Sequence, residues 1–210
     1  GEGIGKADGF TVFVKDAVIG DTVTAKIMKA KKNYGYGRLM EILKPSPYRV
    51  DPICPSARQC GGCQLQAVSY EEQKAFKEKK LRGHLERIGG FKELPMEPLI
   101  GMDEPYHYRN KAQFPVGRNK EGRIVTGFYA GRTHAIIENR DCALGIPQNK
   151  EVLDRVIAHM EKYNIAPYDE MTGKGLVRHI FVRYGFFTGE LMVCLIINGQ
   201  DFPHQKELVE

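Results

Sequence analysis

The chain has 210 residues and a formal net charge of +5 at pH 7, with 42% hydrophobic and 27% charged residues. This length allows one large domain or two small ones with a packed core, and the composition is typical of a soluble globular protein and excludes a disordered or fibrous one. No apolar stretch approaches the length of a membrane span and no signal peptide is recognisable, which predicts a cytoplasmic protein without a membrane partner.

The first fifty residues carry short β-patterned runs, FTVFV, TVTAKIMKA and GYGRLMEIL, which are separated by turn residues and predict a small β-barrel. The stretch from Lys26 to Arg49 holds seven basic residues and one acidic residue, so the rest of the chain is about neutral. Such a concentration of positive charge indicates a nucleic-acid binder, although a solvated basic face without a partner remains an alternative. Tyr34 and Tyr36 lie among these cations and could either stack on bases or fill the barrel.

Four cysteines form the most informative pattern, because three lie in the loop CPSARQCGGCQLQ and the fourth follows 78 intervening residues later. They are Cys54, Cys60, Cys63 and Cys142. Thiolates gathered in this way in a reducing compartment predict a metal or iron–sulfur site, and the spacing alone does not choose between iron and zinc. Glycines between the second and third cysteines can present N–H groups to sulfur in either case. An odd total of five cysteines and the absence of a signal peptide disfavour structural disulfides.

After this loop, the pair Ser69 and Glu72 predicts a capping box, and apolar residues near helical spacing predict a helix that stops at Gly89-Gly90. Those apolar residues are Phe76, Leu81, Leu85 and Ile88. The runs YRNKAQFPVG, IVTGFYAG and HAIIENRDC predict three strands, followed by a helix over 147–163 and a hairpin of LVRHIFVRY with ELMVCLIING. Cys194 lies in the last run and is predicted to be buried and inert. The fold class expected is α+β on an antiparallel sheet.

These residues carry a family resemblance over essentially the whole chain. The stretch GEGIGKADGFTVFVKDAVIGDTVTAKI, with RLMEILKPSPYRV, resembles a TRAM domain, a small five-stranded, OB-like RNA-binding barrel. The segments CPSARQCGGCQLQ and ENRDCALG are similar to the cluster-binding segment of ribosomal RNA (uracil-5-)-methyltransferases, and HYRNKAQF resembles the start of their central RNA-binding domain. The resemblance implies a TRAM barrel at 1–48, a cluster loop at 49–67 and a central α+β domain at 68–210. It also implies that the four cysteines ligate a [4Fe–4S] cluster.

The resemblance further implies an enzyme that methylates C5 of a uridine in ribosomal RNA. In that family a cysteine thiolate adds to C6 of the base, and C5 then takes the methyl group of S-adenosylmethionine. The domain that binds this cofactor has no counterpart here, so we expect a fragment that recognises ribosomal RNA, is inactive alone and is a monomer. Its candidate RNA contacts lie in the barrel and on one strand face of the central domain: Lys29, Lys31, Lys32, Arg38, Arg109 and Lys111.

Two other functions compete with this interpretation. A non-catalytic RNA-binding protein, complete at this length and held by a zinc or iron–sulfur staple, would use the same residues. A radical enzyme is disfavoured, because its cluster needs a C-x3-C-x2-C motif, whereas the first gap here is five residues. Ribosomal RNA is preferred to transfer RNA by the resemblance only.

Overall fold

The computed structural model describes residues 1–210 and divides them into two compact units. The first unit comprises Gly1–Arg58 and Cys63–Asp103, and the second comprises Gln59–Gly62 and Glu104–Glu210. Two sheets and three helices make up the chain, which confirms the predicted α+β class. No helix combines the length and the apolar character that a membrane crossing would require.

The first unit contains a four-stranded sheet with the strands β1 (Gly3–Ala7), β2 (Phe10–Lys15), β3 (Thr22–Ala30) and β4 (Tyr34–Lys44). Their spatial order is β1-β2-β4-β3, with β2 and β4 parallel and the other neighbours antiparallel. Asp8 and Gly9 join β1 to β2 with φ angles of +48° and +82°, as a two-residue hairpin turn with the twist of its strands requires. The sheet therefore has four strands and not the five implied by the resemblance.

A buried carboxylate fixes the ends of this sheet. The Asp21 side chain is only 1% exposed and accepts hydrogen bonds from the backbone N–H groups of Val18 (2.7 Å) and Ser46 (2.9 Å). The guanidinium of Arg49 bonds both Asp21 oxygens and the carbonyl of Asp16. Burial by itself would raise the pKa of Asp21, but the hydrogen bonds from Arg49 and the two amides outweigh it and lower that pKa to about 2. Arg49 therefore has a structural partner, although the sequence grouped it with the RNA-directed cations.

Helix α1 (Tyr70–Arg87) begins as the sequence predicts but differs in its cap and its packing. Ser69 is the N-cap residue without a side-chain cap bond, so the predicted capping box is wrong. The amide Nε2 of Gln73 instead donates to the carbonyls of Leu65 (3.2 Å) and Val68 (2.9 Å), which ties the first turn to the preceding loop. No residue of α1 is buried, and Leu81 is 51% exposed, so the predicted apolar positions of this helix build no core.

The second unit is a five-stranded antiparallel sheet of order β7-β6-β5-β8-β9 with one long helix. Its elements are β5 (Lys111–Arg118), β6 (Ile124–Tyr129), β7 (Ile136–Glu138), α2 (Gln148–Lys162), β8 (Val177–Tyr184), β9 (Leu191–Ile197) and α3 (Gln205–Val209). The predicted apolar stripe of α2 is confirmed: Leu153 and Met160 are fully buried in a core with Phe114 and Ile180. Cys194 is exposed, because β9 is an edge strand, so its predicted burial is wrong.

Candidate nucleic-acid interface

Three aromatic rings form a cluster on one face of the first sheet. Phe13 comes from β2, and Tyr34 and Tyr36 come from β4, with ring centroids 5.7–5.8 Å apart in every pair. Phe13 and Tyr36 are directly paired across the parallel strands, so their side chains lie on the same face. Val12 and Val14 alternate with Phe13 and are buried on the opposite face. The two tyrosines therefore lie on the face opposite the buried valines, which argues against their filling the interior of this unit, and base stacking stays a prediction.

This aromatic face, defined as Phe13, Tyr34 and Tyr36, remains accessible. Tyr34 is 36% exposed, and the other two rings are partly buried by one another. Two of the three ring pairs are edge-to-face, with interplanar angles of 90° and 85°. Exposed aromatic rings are the groups on which proteins stack unpaired bases.

Basic side chains from the same strands surround the aromatic face. Lys29 of β3 pairs with Tyr36, and Lys26 pairs with Arg38, so these cations share the face of the rings. Lys31 and Lys32 lie in the turn before β4, where the Lys31 N–H donates to the Tyr34 carbonyl at 2.8 Å. None of these five cations has a carboxylate oxygen within 4.0 Å. Their positive charge is therefore not neutralised within the chain.

The first unit contains two further cations that the sequence patterns did not identify. Lys15 is paired with Arg38 in the β2–β4 register, and its Nζ donates to the carbonyl of Arg58 at 3.0 Å. Arg58 belongs to the cysteine loop, and its Nε lies 3.5 Å from an oxygen of Asp16. These side chains line a cleft of about 420 Å³ together with Gly37 and Leu39. The alternation in FTVFVK could have identified Lys15, whereas no local pattern predicts Arg58, whose position depends on the folding of the loop.

The central-domain candidates have different environments. Lys111 is the first residue of β5, pairs with Arg183 of β8, and holds its Nζ 5.3 Å from the ring centroid of Phe181. Arg109 precedes β5 and forms an isolated bridge to Gly145, with its N–H bonded to a neighbouring carbonyl. The prediction that both residues alternate on one strand is therefore wrong, since only Lys111 belongs to the strand. Both side chains are exposed.

The four predicted ligand thiols are distributed over both units. Cys54 and Cys63 lie in the first unit, and Cys60 and Cys142 lie in the second. Cys142 follows β7 in a turn that leads to α2, where its carbonyl accepts a hydrogen bond from the Gly145 N–H at 2.9 Å. No group of three or more His, Cys, Asp or Glu side chains is placed to hold a metal ion.

One local feature does follow the prediction for the cysteine loop. The Gly62 N–H donates to Cys60 Sγ at 3.4 Å, which is the kind of N–H to sulfur contact that tunes a metal-bound thiolate. The neighbouring Gly61 N–H bonds the Tyr129 carbonyl at 2.9 Å. Thiols have the donor chemistry of an iron–sulfur cluster, and three of the four lie in one loop of the sequence.

The fold of this chain contains no unit of the kind expected to bind S-adenosylmethionine. Its binding domain, as expected from the resemblance, needs a parallel strand–loop–helix–strand unit with a glycine-rich turn. The single parallel pair is β2 with β4, and β3 connects those strands instead of a helix. The residues of this chain therefore do not fit that cofactor.

Several known proteins are similar to this chain. Residues 1–40 match the family model of the TRAM domain. A protein of Halalkalibacterium halodurans named as an uncharacterized RNA methyltransferase is 44% identical over 210 residues, which is 100% of this chain and 46% of that protein. A Clostridium tetani protein of the same name is 43% identical over 209 residues, with 100% and 45% covered. The expected similarity to TRAM domains and RNA methyltransferases is thereby confirmed.

A solved structure shows the same fold. The tRNA (uracil-54, C5)-methyltransferase of Pyrococcus abyssi, in complex with S-adenosyl-L-homocysteine, is 25% identical with a TM-score of 0.70, over 99% of this chain and 48% of that chain. The chain thus spans about half the length of the relatives it matches. None of these names specifies ribosomal RNA or an iron–sulfur cluster, so both remain predictions.

Proposed function

We propose that this chain is the RNA-recognition part of an S-adenosylmethionine-dependent methyltransferase that acts on C5 of a uridine. The observation that carries the proposal is the aromatic face with its unpaired cations, all of which lie in the residues that match the TRAM domain. The similarity to RNA methyltransferases and to a uracil-C5 enzyme supplies the reaction. The cofactor and the catalytic groups are assigned to the part of the relatives that this chain does not cover.

The physical role of the chain follows from the target. Inside a helix the two faces of a base are covered by its stacked neighbours. The base must therefore be unstacked before any group can attack C5 or C6 from above the ring. Rings such as Tyr34 and Tyr36 stabilise flanking bases that have left a helix, and lysines such as Lys29 neutralise the phosphates between them. The binding free energy gained in this way offsets part of the cost of opening the RNA.

A binding experiment tests this role. Unpaired RNA should bind the chain, and Tyr34→Ala should weaken binding by about 1–3 kcal/mol, the contribution of one stacked base. Tyr48→Ala is the matched control, because Tyr48 is 45% exposed in the same unit but lies outside the sheet. Equal affinities of the two variants would contradict the proposal.

We propose ribosomal RNA as the substrate, on the family resemblance of the cysteine segments. Transfer RNA is the second candidate, because the structural neighbour from Pyrococcus abyssi is a tRNA enzyme. Mass spectrometry of 5-methyluridine in purified ribosomal and transfer RNA, from cells with and without the full-length gene, separates the two. If the 5-methyluridine content of neither RNA falls when the gene is absent, the non-catalytic RNA-binding alternative is favoured.

The four-cysteine site is also proposed here as a [4Fe–4S] centre with the ligands Cys54, Cys60, Cys63 and Cys142. The thiol-rich loop and the N–H contact to Cys60 Sγ support it. Iron, sulfide and zinc should be measured on protein purified without oxygen, for the unchanged chain and for Cys142→Ser, with Cys194→Ser as the control. Four irons lost only in Cys142→Ser would support the cluster, whereas zinc in their place would indicate a structural zinc site.

A further inference from the structure

We propose that Lys15, Arg38 and Arg58 form a phosphate subsite for unpaired RNA at the end of the aromatic face, and that the cysteine loop serves to present Arg58 there. This inference rests on the proposed RNA-binding function and adds a specific contact site and a preference for single strands. The cleft of about 420 Å³ has all three cations in its lining.

The strands fix two of the cations relative to the rings. Tyr34, Tyr36 and Arg38 are alternate residues of β4, so they follow one another on one face at intervals of about 6.6 Å. Lys15 is paired with Arg38 on β2, as Phe13 is paired with Tyr36. One face of the sheet therefore presents rings first and cations next in the direction of β4. An RNA strand that stacks bases on the rings would place a backbone phosphate at the cations.

The loop supplies the third cation through contacts within the first unit. The Ala57 N–H donates to the Cys54 carbonyl at 3.1 Å, which closes the turn that ends in Arg58. Lys15 Nζ then holds the Arg58 carbonyl at 3.0 Å. The Arg58 side chain itself is 69% exposed, and its only carboxylate contact is the 3.5 Å approach to Asp16, so its guanidinium remains available to a ligand.

The charge balance of the cleft selects an anion. Three cations and the single carboxylate of Asp16 leave a net charge of about +2 in the cleft. Asp16 is 30% exposed and adopts φ = +68°, a conformation that asparagine also tolerates. Asp16→Asn therefore removes the negative charge with little backbone strain and should strengthen RNA binding.

Unpaired RNA is the ligand form that fits this arrangement. In a duplex the bases are stacked on each other and their faces are hidden, so the rings of the chain could not stack on them. A single strand can use the rings and the cleft together. The structure therefore predicts tighter binding of single strands than of duplexes of the same sequence.

The experiment measures dissociation constants of the 210-residue chain for an unpaired RNA of about 12 nucleotides, its duplex and an abasic strand, across a salt series. Arg58→Gln should weaken binding of both single strands about two- to fivefold, the range of one exposed charge contact. It should also reduce the slope of log K against log salt by about 0.7, the value for one phosphate on a single strand. Arg58→Lys should retain the slope, and Asp16→Asn should increase affinity.

Arg155→Gln is the matched control, because Arg155 is also 69% exposed and paired with a carboxylate, but it lies on α2. Circular dichroism and thermal melting check that each variant folds. An unchanged slope for Arg58→Gln, with Tyr34→Ala still weakening the binding of base-containing RNA, would overturn the phosphate subsite and leave the proposed function intact. If neither variant affects RNA binding, the proposed function itself fails.

Discussion

Asp21→Asn should destabilise the first unit by an amount that can be worked from its pKa. The carboxyl has a pKa of about 2 in the folded chain and 3.8 without the fold, and each unit of difference corresponds to about 1.4 kcal/mol. The ionised form therefore contributes about 2.5 kcal/mol at neutral pH. Asparagine keeps the shape but loses the charge and leaves Arg49, which is 19% exposed, without its anion. We expect a loss of about 2–4 kcal/mol in the free energy of unfolding at pH 7.

The pH dependence has a definite sign. Because folding lowers the pKa of Asp21, its contribution is complete above about pH 4 and is lost as the pH falls towards 2. The unchanged chain and Asp21→Asn should therefore differ most at pH 7 and converge near pH 2. The free energy of unfolding of each protein is measured at pH 7 and at pH 2 by urea unfolding, monitored through the amide NMR signals of β3 and β4. Asp51→Asn is an exposed control and should change stability by less than about 0.5 kcal/mol. A difference between the unchanged chain and Asp21→Asn that persists unaltered at pH 2 would refute the reasoning.

Three further predictions concern the second unit. Leu153→Ala should cost about 2–5 kcal/mol in urea unfolding, because the side chain is fully buried, whereas the 41% exposed Leu191→Ala should cost far less. Gly127→Ala should break the pairing of β6 with β7, since a new Cβ would collide with the Ile137 carbonyl, and amide exchange in β7 reports the loss. Burial, then the charge of Arg178, lowers the pKa of His179 below 6.5, so its NMR titration should have a midpoint below 6.5. The contribution of His179 to stability should be full above pH 6.5 and fall on acidification; a midpoint at or above 6.5 would contradict its placement.

The sequence predicted the elements well where local periodicity decides them. The apolar stripe of α2 and the hairpin of β8 with β9 are present as expected, because period 3.6 and period 2 patterns report which residues face a core. The same periodic patterns did not predict burial correctly where burial depends on a second element that packs against the residues. The apolar residues of α1 have the spacing of a core face, but none is buried. Cys194 lies in an apolar run, but its strand is at the edge of the sheet.

The candidate site shows the same division. Composition alone located the positive charge in the first fifty residues, and the cysteine spacing singled out the loop, because both signals are local in the sequence. The alternation of β4 also places Tyr34, Tyr36 and Arg38 on one face. It does not say whether that face points inwards, since an aromatic residue suits a core and a binding surface equally well.

Tertiary structure decided what the sequence left open. The parallel pairing of β2 with β4 brings Phe13 against Tyr36 and turns the buried valines to the other side, which no local pattern encodes because β3 intervenes. Arg49 is paired with Asp21, which lies 28 positions away in the sequence, so Arg49 adds no unpaired charge to the basic surface. The fold of the cysteine loop adds Arg58, 43 positions from Lys15. Periodicity determines which residues can share a face, whereas long-range pairing determines which faces meet, because burial is a property of neighbours that lie far apart in the chain.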